Sequence, residues 1–232
     1  MILTNLIVSM VNNCASTAPP SSSYSTSFTS TENPISEGGA WTQAATDWQD
    51  VRTTGGYATG AAYTENFDDC YARLTTATFA APSDNYEIVA TVRKVSEAVA
   101  NSEIELLLRV VDTATTINAY EVLVNTGGSC ELVRWNGTMG TFFEIASTAT
   151  SITGWTGNGD KVKARVTGTN PAVVTVSHAP ASDPTNFTQV FQYSDTDATR
   201  KQTGQPGIAF YQHAADNNLL NAGWSDFAVT AI

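Results

Sequence analysis

The stretch Glu103–Asn136, EIELLLRVVDTATTINAYEVLVNTGGSCELVRWN, decides the fold. Side chains of a β-strand point alternately to its two faces. In the first third of the stretch this alternation separates an apolar set, Ile104, Leu106, Leu108 and Val110, from a polar set, Glu103, Glu105 and Arg109. We therefore predict a strand with one face in a core and one face available for chemistry.

The rest of the stretch continues the same pattern. Tyr120, Val122 and Val124 alternate with Glu121 and Asn125. The residues Thr126-Gly-Gly-Ser129 then form a turn signal before a further strand at 131–136. The stretch predicts three consecutive antiparallel strands.

Composition favours one large all-β domain. The 232 residues are 42% hydrophobic but only 14% charged, so uncharged polar residues must form much of the surface. Sandwiches of this length often form a single domain. The net charge of −11 argues against a nucleic-acid partner, because affinity for phosphate backbones comes mainly from clustered Lys and Arg.

Strand signals continue on both sides of the central stretch, from Tyr24 to the C-terminus, with turns between them. The predicted strands outside the centre are Tyr24–Ser30, Trp41–Trp48, Ala72–Phe79, Tyr86–Val95, Phe142–Ser147, Lys161–Thr167, Val173–His178, Gln189–Tyr193, Gly207–Gln212 and Ala222–Ala231. A helical turn is expected only around Glu65–Tyr71. The pattern is typical of a sandwich or jelly roll.

The sequence predicts an N-terminal arm that precedes the sandwich domain. Residues 1–13 are apolar without Lys or Arg, too short to span a bilayer and unlike a secretory signal, and residues 15–23 form a Pro/Ser-rich linker. We divide the chain into an arm and linker, 1–23, and a sandwich domain, 24–232. The arm docks either on another subunit or larger assembly, or on its own sandwich, through Ile2, Leu3, Leu6, Ile7 and Val8.

The three cysteines show no CxxC spacing, which argues against a zinc site. Cys70 and Cys130 form either a disulfide or, with Cys14, a set of separate thiols. We expect no cofactor, although Asp195 and Asp197 alternate in a way that calcium could use. The other interpretation of this pair is that they are turn-forming aspartates.

Several segments along the chain form one recognisable series: GGAW at 38–41, YEIVATVR at 86–93, ELLLRV, AYEVLV and CELVRWNG within the central strands, GDKVKARVTG at 159–168 and GQPGIAFY at 204–211. This series resembles the concanavalin A-like lectin/glucanase superfamily, most closely its laminin-G-like and phage-associated members. The resemblance implies an all-β, two-sheet antiparallel jelly-roll sandwich, here with an N-terminal extended arm. It also implies a concave sheet that often binds carbohydrate.

The resemblance raises the question of catalysis. Glucanase-type members carry three acids on one strand as ExDxxE or ExDxE, and Glu103 and Glu105 look like the start of this motif. Leu107 and Leu108 occupy both places where the third acid would stand. A retaining glycosidase needs a nucleophile and a separate acid/base. We therefore expect no catalytic residues.

The polar sheet face then has two interpretations. The first is cross-strand charge pairing on a solvated surface. The second is a shallow sugar site in which charged groups bond hydroxyls and an aromatic ring stacks on a pyranose. Its candidate residues are Glu103, Glu105, Arg109, Arg93, Tyr120 and Trp135.

Three classes of function follow. We favour a non-catalytic virion structural, decoration or fibre-type protein on the particle surface or outside the cell. We expect such a protein to be a homo-oligomer that contacts other subunits through the arm. A glycan would be its second partner, whereas nucleic acid and membrane would not bind. The alternatives are a free-standing carbohydrate-binding module and a glucanase-type hydrolase or lyase.

Overall fold

The computed structural model describes residues 21–60, 67–94, 103–213 and 222–232. The arm residues Ile2, Leu3, Leu6, Ile7 and Val8 lie outside this part. The described chain is all-β, and no helix in it is long and apolar enough to cross a membrane. Its strands are β1 (Ser23–Thr26), β2 (Thr31–Glu32), β3 (Trp41–Thr42), β4 (Gln49–Thr54), β5 (Ala58–Gly60), β6 (Phe67–Leu74), β7 (Tyr86–Lys94), β8 (Glu103–Thr113), β9 (Thr116–Asn125), β10 (Ser129–Gly137), β11 (Phe142–Ser151), β12 (Lys161–Thr167), β13 (Ala172–Ala179), β14 (Thr188–Asp195), β15 (Gln205–His213) and β16 (Ala222–Ala231).

The strands form two layers. The front sheet has the order β11-β10-β9-β8-β15-β6, with β3 paired to β6. The back sheet has the order β16-β7-β12-β13-β14, and β1 and β5 pair with the other side of β16. Strand β4 joins the layers because it pairs with β5 and also, in parallel, with β6. The predicted two-sheet jelly-roll sandwich is confirmed.

The main core lies between the two sheets. Ile104, Leu106 and Leu108 of β8 are fully buried there, as the alternation predicts. Ile88 and Ala90 of β7 enter the same core from the back sheet. Each sheet therefore contributes one apolar face to the main core. The outer face of the front sheet is not part of that core.

A second apolar cluster covers half of that outer face. The loop after β3 places Trp48 against Tyr71 and Trp135, with ring centroids 5.4 and 4.6 Å apart. The Tyr71 hydroxyl holds the loop, since it accepts the backbone N–H groups of Ala44 and Ala45 at 3.1 and 2.8 Å. This half of the face is closed, and the other half is open.

Three sequence expectations need correction. The helical turn at Glu65–Tyr71 is wrong for its described part, because β6 begins at Phe67 and alternates Cys70, Ala72 and Leu74 into the core. The strand at Trp41–Trp48 is only Trp41–Thr42, since the following residues form the covering loop. Cys70 and Cys130 are buried thiols that do not form a disulfide.

Candidate binding cleft on the front sheet

A cleft of about 380 Å³ occupies the open half of the front sheet. It is lined by carboxyl side chains from four strands: Asp69 of β6, Glu103 of β8, Glu121 of β9 and Glu131 of β10. We call the site formed by these four residues the acidic cleft. None of the described residues that line it is Lys, Arg or His.

Strand register brings these acids together. Glu103 lies opposite Tyr211 of β15, which itself lies opposite Asp69. One step along the sheet, Glu105 lies opposite Leu123, which lies opposite Glu131. Laterally and diagonally adjacent side chains on a sheet face are close enough for long side chains to interact. Four neighbouring strands therefore concentrate acidic groups that are far apart in the sequence.

Glu103 is held largely in its protonated form. Burial raises the pKa of Glu103 to about 9, and the negative charges of Glu121, Asp69 and Glu131 act in the same direction. A carboxyl group with this pKa retains its proton at neutral pH. It can then donate one hydrogen bond as well as accept others.

Glu121 shares this behaviour. Burial raises its pKa to about 8, against the opposing effect of a hydrogen bond from Trp135, while nearby Asp69 and Glu131 raise it further. The indole N–H of Trp135 donates to Glu121 Oε2. This bond fixes the Glu121 side chain at the boundary between the acidic cleft and the apolar cluster.

Glu105 lies deepest. Its side chain is only 1% exposed, and its Oε2 atom has no hydrogen-bond partner. Burial, followed by the charges of Glu121, Glu103 and Asp69, raises the pKa of Glu105 well above its usual value. A buried oxygen without a partner carries a desolvation penalty.

The cleft also has aromatic walls. Trp135 is buried, and its ring lies 5.2 Å from that of Phe142. Phe142 is 53% exposed and lines the cleft together with Met139 and Tyr211. Carboxyl groups beside aromatic rings can bond hydroxyls while a ring packs on the apolar face of a sugar.

Glu103, Glu105 and Trp135 therefore lie together on this face, but Arg109 does not. A register shift between Leu108 and Val111 breaks the alternation of β8. Arg109, with a φ angle of 56°, is consequently turned into the interior and is fully buried. Its guanidinium donates to the backbone carbonyls of Asp84, Gly168 and Lys201, so its predicted place on the polar face was wrong.

Tyr120 and Arg93 also lie elsewhere. Tyr120 is fully buried in the main core, and its hydroxyl donates to Asp195 Oδ2 at 2.8 Å. Arg93 belongs to β7 of the back sheet, where its guanidinium stacks 3.7 Å from the ring centroid of Tyr57. Neither residue can join Glu103 in one sugar site, because one is inside the sandwich and the other is on its opposite sheet.

The two candidate calcium ligands have other partners. Asp195 is fully buried and accepts from Arg134 Nη1 at 2.7 Å. Asp197 is exposed and accepts the backbone N–H of Thr199 at 2.7 Å. This is the pattern of a structural ion pair followed by an aspartate turn. Within the described ranges no group of three or more His, Cys, Asp or Glu could hold a metal ion.

Sequence reasoning missed three of the four acids that line the cleft, Asp69, Glu121 and Glu131, and also its exposed ring, Phe142. Alternation along β9 places Glu121 on the sheet face that points away from the core. The same alternation, continued across the turn into β10, would have placed Glu131 on that face as well. Asp69 carried no such signal, because its segment was expected to be helical.

Comparisons with known proteins support the fold. No family model matches this chain, and none of the curated proteins compared matches it. The exoplasmic/lumenal domain of VIP36, in a Ca²⁺- and Man3GlcNAc-bound form, is similar, with 11% identity, a TM-score of 0.51 and coverage of 84% of each chain.

Two further solved structures have the same fold. The CBM2 module of an evolved Dit protein from Lactobacillus casei BL23 phage J-1 shares 8% identity with a TM-score of 0.50, covering 89% of this chain and 93% of that one. A β-porphyranase from the human gut bacterium Bacteroides plebeius shares 8% identity with a TM-score of 0.51, covering 89% of each. The chain thus has a jelly-roll sandwich fold of the concanavalin A-like type.

Proposed function

We propose that this chain is a non-catalytic glycan-binding sandwich domain of a virion surface protein, and that the glycan binds in the acidic cleft. The observation that carries the proposal is the combination of protonated carboxyl groups with aromatic walls in one open cleft. A protonated carboxyl donates and accepts, as a sugar hydroxyl does, so the two can pair in either sense. Phe142 offers an exposed ring beside them.

Two of the similar structures support this proposal through the kind of protein that each represents. One is a phage module and the other is a lumenal domain determined with Man3GlcNAc. Identities of 8–11% carry the fold and not the ligand, so the argument for binding rests on the cleft itself.

A glycan array followed by calorimetry tests the binding. We expect at least one glycan to bind, and Phe142→Ala to weaken that binding about ten-fold. Glu87→Gln provides a control, because Glu87 lies on β7 of the back sheet. An array without any bound glycan, obtained with folded protein, would remove the proposed function.

The virion role is tested through the arm. Ile2, Leu3, Leu6, Ile7 and Val8 supply an apolar segment that a neighbouring subunit would cover. We expect the full chain to be a homo-oligomer by light scattering, and a chain without residues 1–20 to be a monomer that still binds glycan. A full chain that is already monomeric would favour the free-standing carbohydrate-binding module.

One observation favours a hydrolase as a second candidate. The raised pKa of Glu121 suits a general acid, and Glu121 approaches Glu103 and Glu105 from the neighbouring strand. A retaining hydrolase also needs an ionised nucleophile, whereas the pKa of Glu103 is about 9. Turnover with a bell-shaped pH profile that peaks between about pH 8 and 9 would establish this alternative, because part of Glu103 is ionised there while part of Glu121 still holds its proton. Glu103→Gln and Glu121→Gln should each abolish that turnover.

A further inference from the structure

Lys201, in the segment that connects β14 to β15, is a buried lysine of which only 8% is exposed. Its main chain is held on both sides of the Cα atom. The backbone N–H donates to the hydroxyl of Tyr120 at 3.1 Å, and the backbone carbonyl accepts from Arg109 Nη1 at 2.8 Å. These two bonds fix the point from which the Lys201 side chain extends.

The Lys201 side chain ends at two carboxamide side chains. Asn118 of β9 and Asn136 of β10 are directly paired across the antiparallel ladder, so their side chains lie on the same face. Lys201 Nζ lies 2.5 Å from Asn136 Oδ1 and 3.2 Å from Asn118 Oδ1. Because a C=O bond is about 1.2 Å long, the Cγ atom of Asn136 is at most about 3.7 Å from Nζ. The amine and this carbonyl carbon are therefore close to the separation of about 3–3.5 Å from which a nucleophile attacks.

The surroundings of Lys201 favour its uncharged form. The ion pairs of the described ranges do not include Lys201. Burial, followed by the charge of Arg134, lowers the pKa of Lys201 to about 8, while the charge of Asp195 acts in the opposite direction. About a tenth of the Lys201 side chains are then free amines at pH 7, and most are free amines at pH 9. A free amine has the lone pair that a nucleophile needs.

We propose that Lys201 and Asn136 join in an intramolecular amide bond. The lone pair of Lys201 Nζ attacks Asn136 Cγ, the bond from Cγ to Nδ2 breaks, and one proton passes from Nζ to Nδ2, which leaves as ammonia. One C–N bond forms and one C–N bond breaks, so the step needs no oxidant, reductant or other reactant. The product replaces a buried amine with a neutral amide and ties the β14–β15 connection covalently to β10 of the front sheet.

Intact mass spectrometry of the full chain, incubated in its folded state at pH 9, tests the proposal. We expect the mass of the parent protein to fall below its sequence mass by one molecule of ammonia. Lys201→Arg should keep its full sequence mass, because a guanidinium stays protonated. Lys163→Arg on β12 of the back sheet is the matched control and should show the same loss as the parent protein. Tryptic digestion of the parent should release residues 201–232 linked to residues 135–161, since trypsin does not cleave after an acylated lysine.

Three results would overturn the inference. The first is a parent protein that is folded by circular dichroism and keeps its full sequence mass after the incubation. The second is a loss of ammonia that persists in Lys201→Arg without linked peptides, because Asn136 precedes Gly137 and an Asn–Gly pair can lose ammonia by closing a succinimide ring. The third is a link from residues 201–232 to residues 110–134, which would make Asn118 the acceptor in place of Asn136. Each of these results leaves the proposed glycan binding untouched.

Discussion

Arg134 of β10 and Asp195 at the end of β14 form an ion pair across the sandwich, with Arg134 Nη1 2.7 Å from Asp195 Oδ2. The pair joins the front sheet to the back sheet, and both side chains are almost completely buried. Tyr120 donates to the same carboxylate oxygen at 2.8 Å. The acid that the sequence suggested as a calcium ligand is thus an internal link between the sheets.

We predict that Asp195→Ala lowers the free energy of unfolding by about 3–5 kcal/mol. The substitution leaves the Tyr120 hydroxyl without its acceptor and leaves the buried Arg134 charge with only the longer 3.6 Å contact from Nη2 to Asp197 Oδ1. Urea unfolding measures the loss. Asp197→Ala is the matched control, since Asp197 is exposed and should cost much less. Equal losses in the two variants would contradict the assigned role of Asp195.

Arg109→Ala should also destabilise the fold, by about 3 kcal/mol or more, because the guanidinium bonds three backbone carbonyls from separate segments. The exposed Arg165 of β12 serves as the control, and its replacement by Ala should change stability by no more than about 0.5 kcal/mol. Glycan affinity measured on folded Arg109→Ala should equal that of the parent protein. A loss of glycan affinity without a loss of stability would show instead that Arg109 takes part in glycan binding.

Arg109 also shows where sequence reasoning reaches its limit. Period-two alternation places the side chains of β8 correctly up to Leu108, because one buried face selects the register. The bulge at 109–110 adds a residue to the strand and reverses the side on which Arg109 falls. The local sequence contains no signal for this bulge, because the carbonyl groups that hold Arg109 come from segments distant in the chain.

The candidate site was partly predictable for a related reason. Alternation within one strand is sufficient to place Glu103 and Glu105 on the same face. The meeting of Asp69 with Glu103 depends instead on the pairing of β15 between β6 and β8, strands distant in sequence. The sequence left Trp135 open between the sugar-site face and the core, and its covering by Trp48 depends on a loop that the sequence predicted as a strand.

The acidic cleft should make stability depend on pH. In the unfolded chain Glu103 and Glu121 have ordinary pKa values of about 4.3, whereas their pKa values in the folded protein are about 9 and about 8. Between these limits the unfolded chain holds fewer protons than the folded protein. These two groups therefore make the free energy of unfolding decrease as pH rises from about 4.5 to about 9.

Denaturant unfolding at several pH values measures this slope, and the double variant Glu103→Gln, Glu121→Gln should flatten it. The groups that face these two carboxyls are Asp69 of β6, Tyr211 of β15, Glu105 of β8 and Glu131 of β10. Glu87→Gln on the back sheet should leave the slope parallel to that of the parent protein. A parent protein whose stability does not change across this range would refute the assignment of protonated acids to the cleft.

Adjacent phenylalanines on β11 give the sharpest test of the proposed sugar-binding surface. Phe142 pairs with Trp135 and shares its face, while Phe143 pairs with Arg134 and points to the other side. Both rings are more than half exposed, at 53% and 57%, so removing either should have little effect on stability. We expect Phe142→Ala to weaken glycan binding about ten-fold, equivalent to about 1.4 kcal/mol, and Phe143→Ala to leave the dissociation constant unchanged. Equal effects from both substitutions, or an effect from Phe143→Ala alone, would place the sugar outside the acidic cleft.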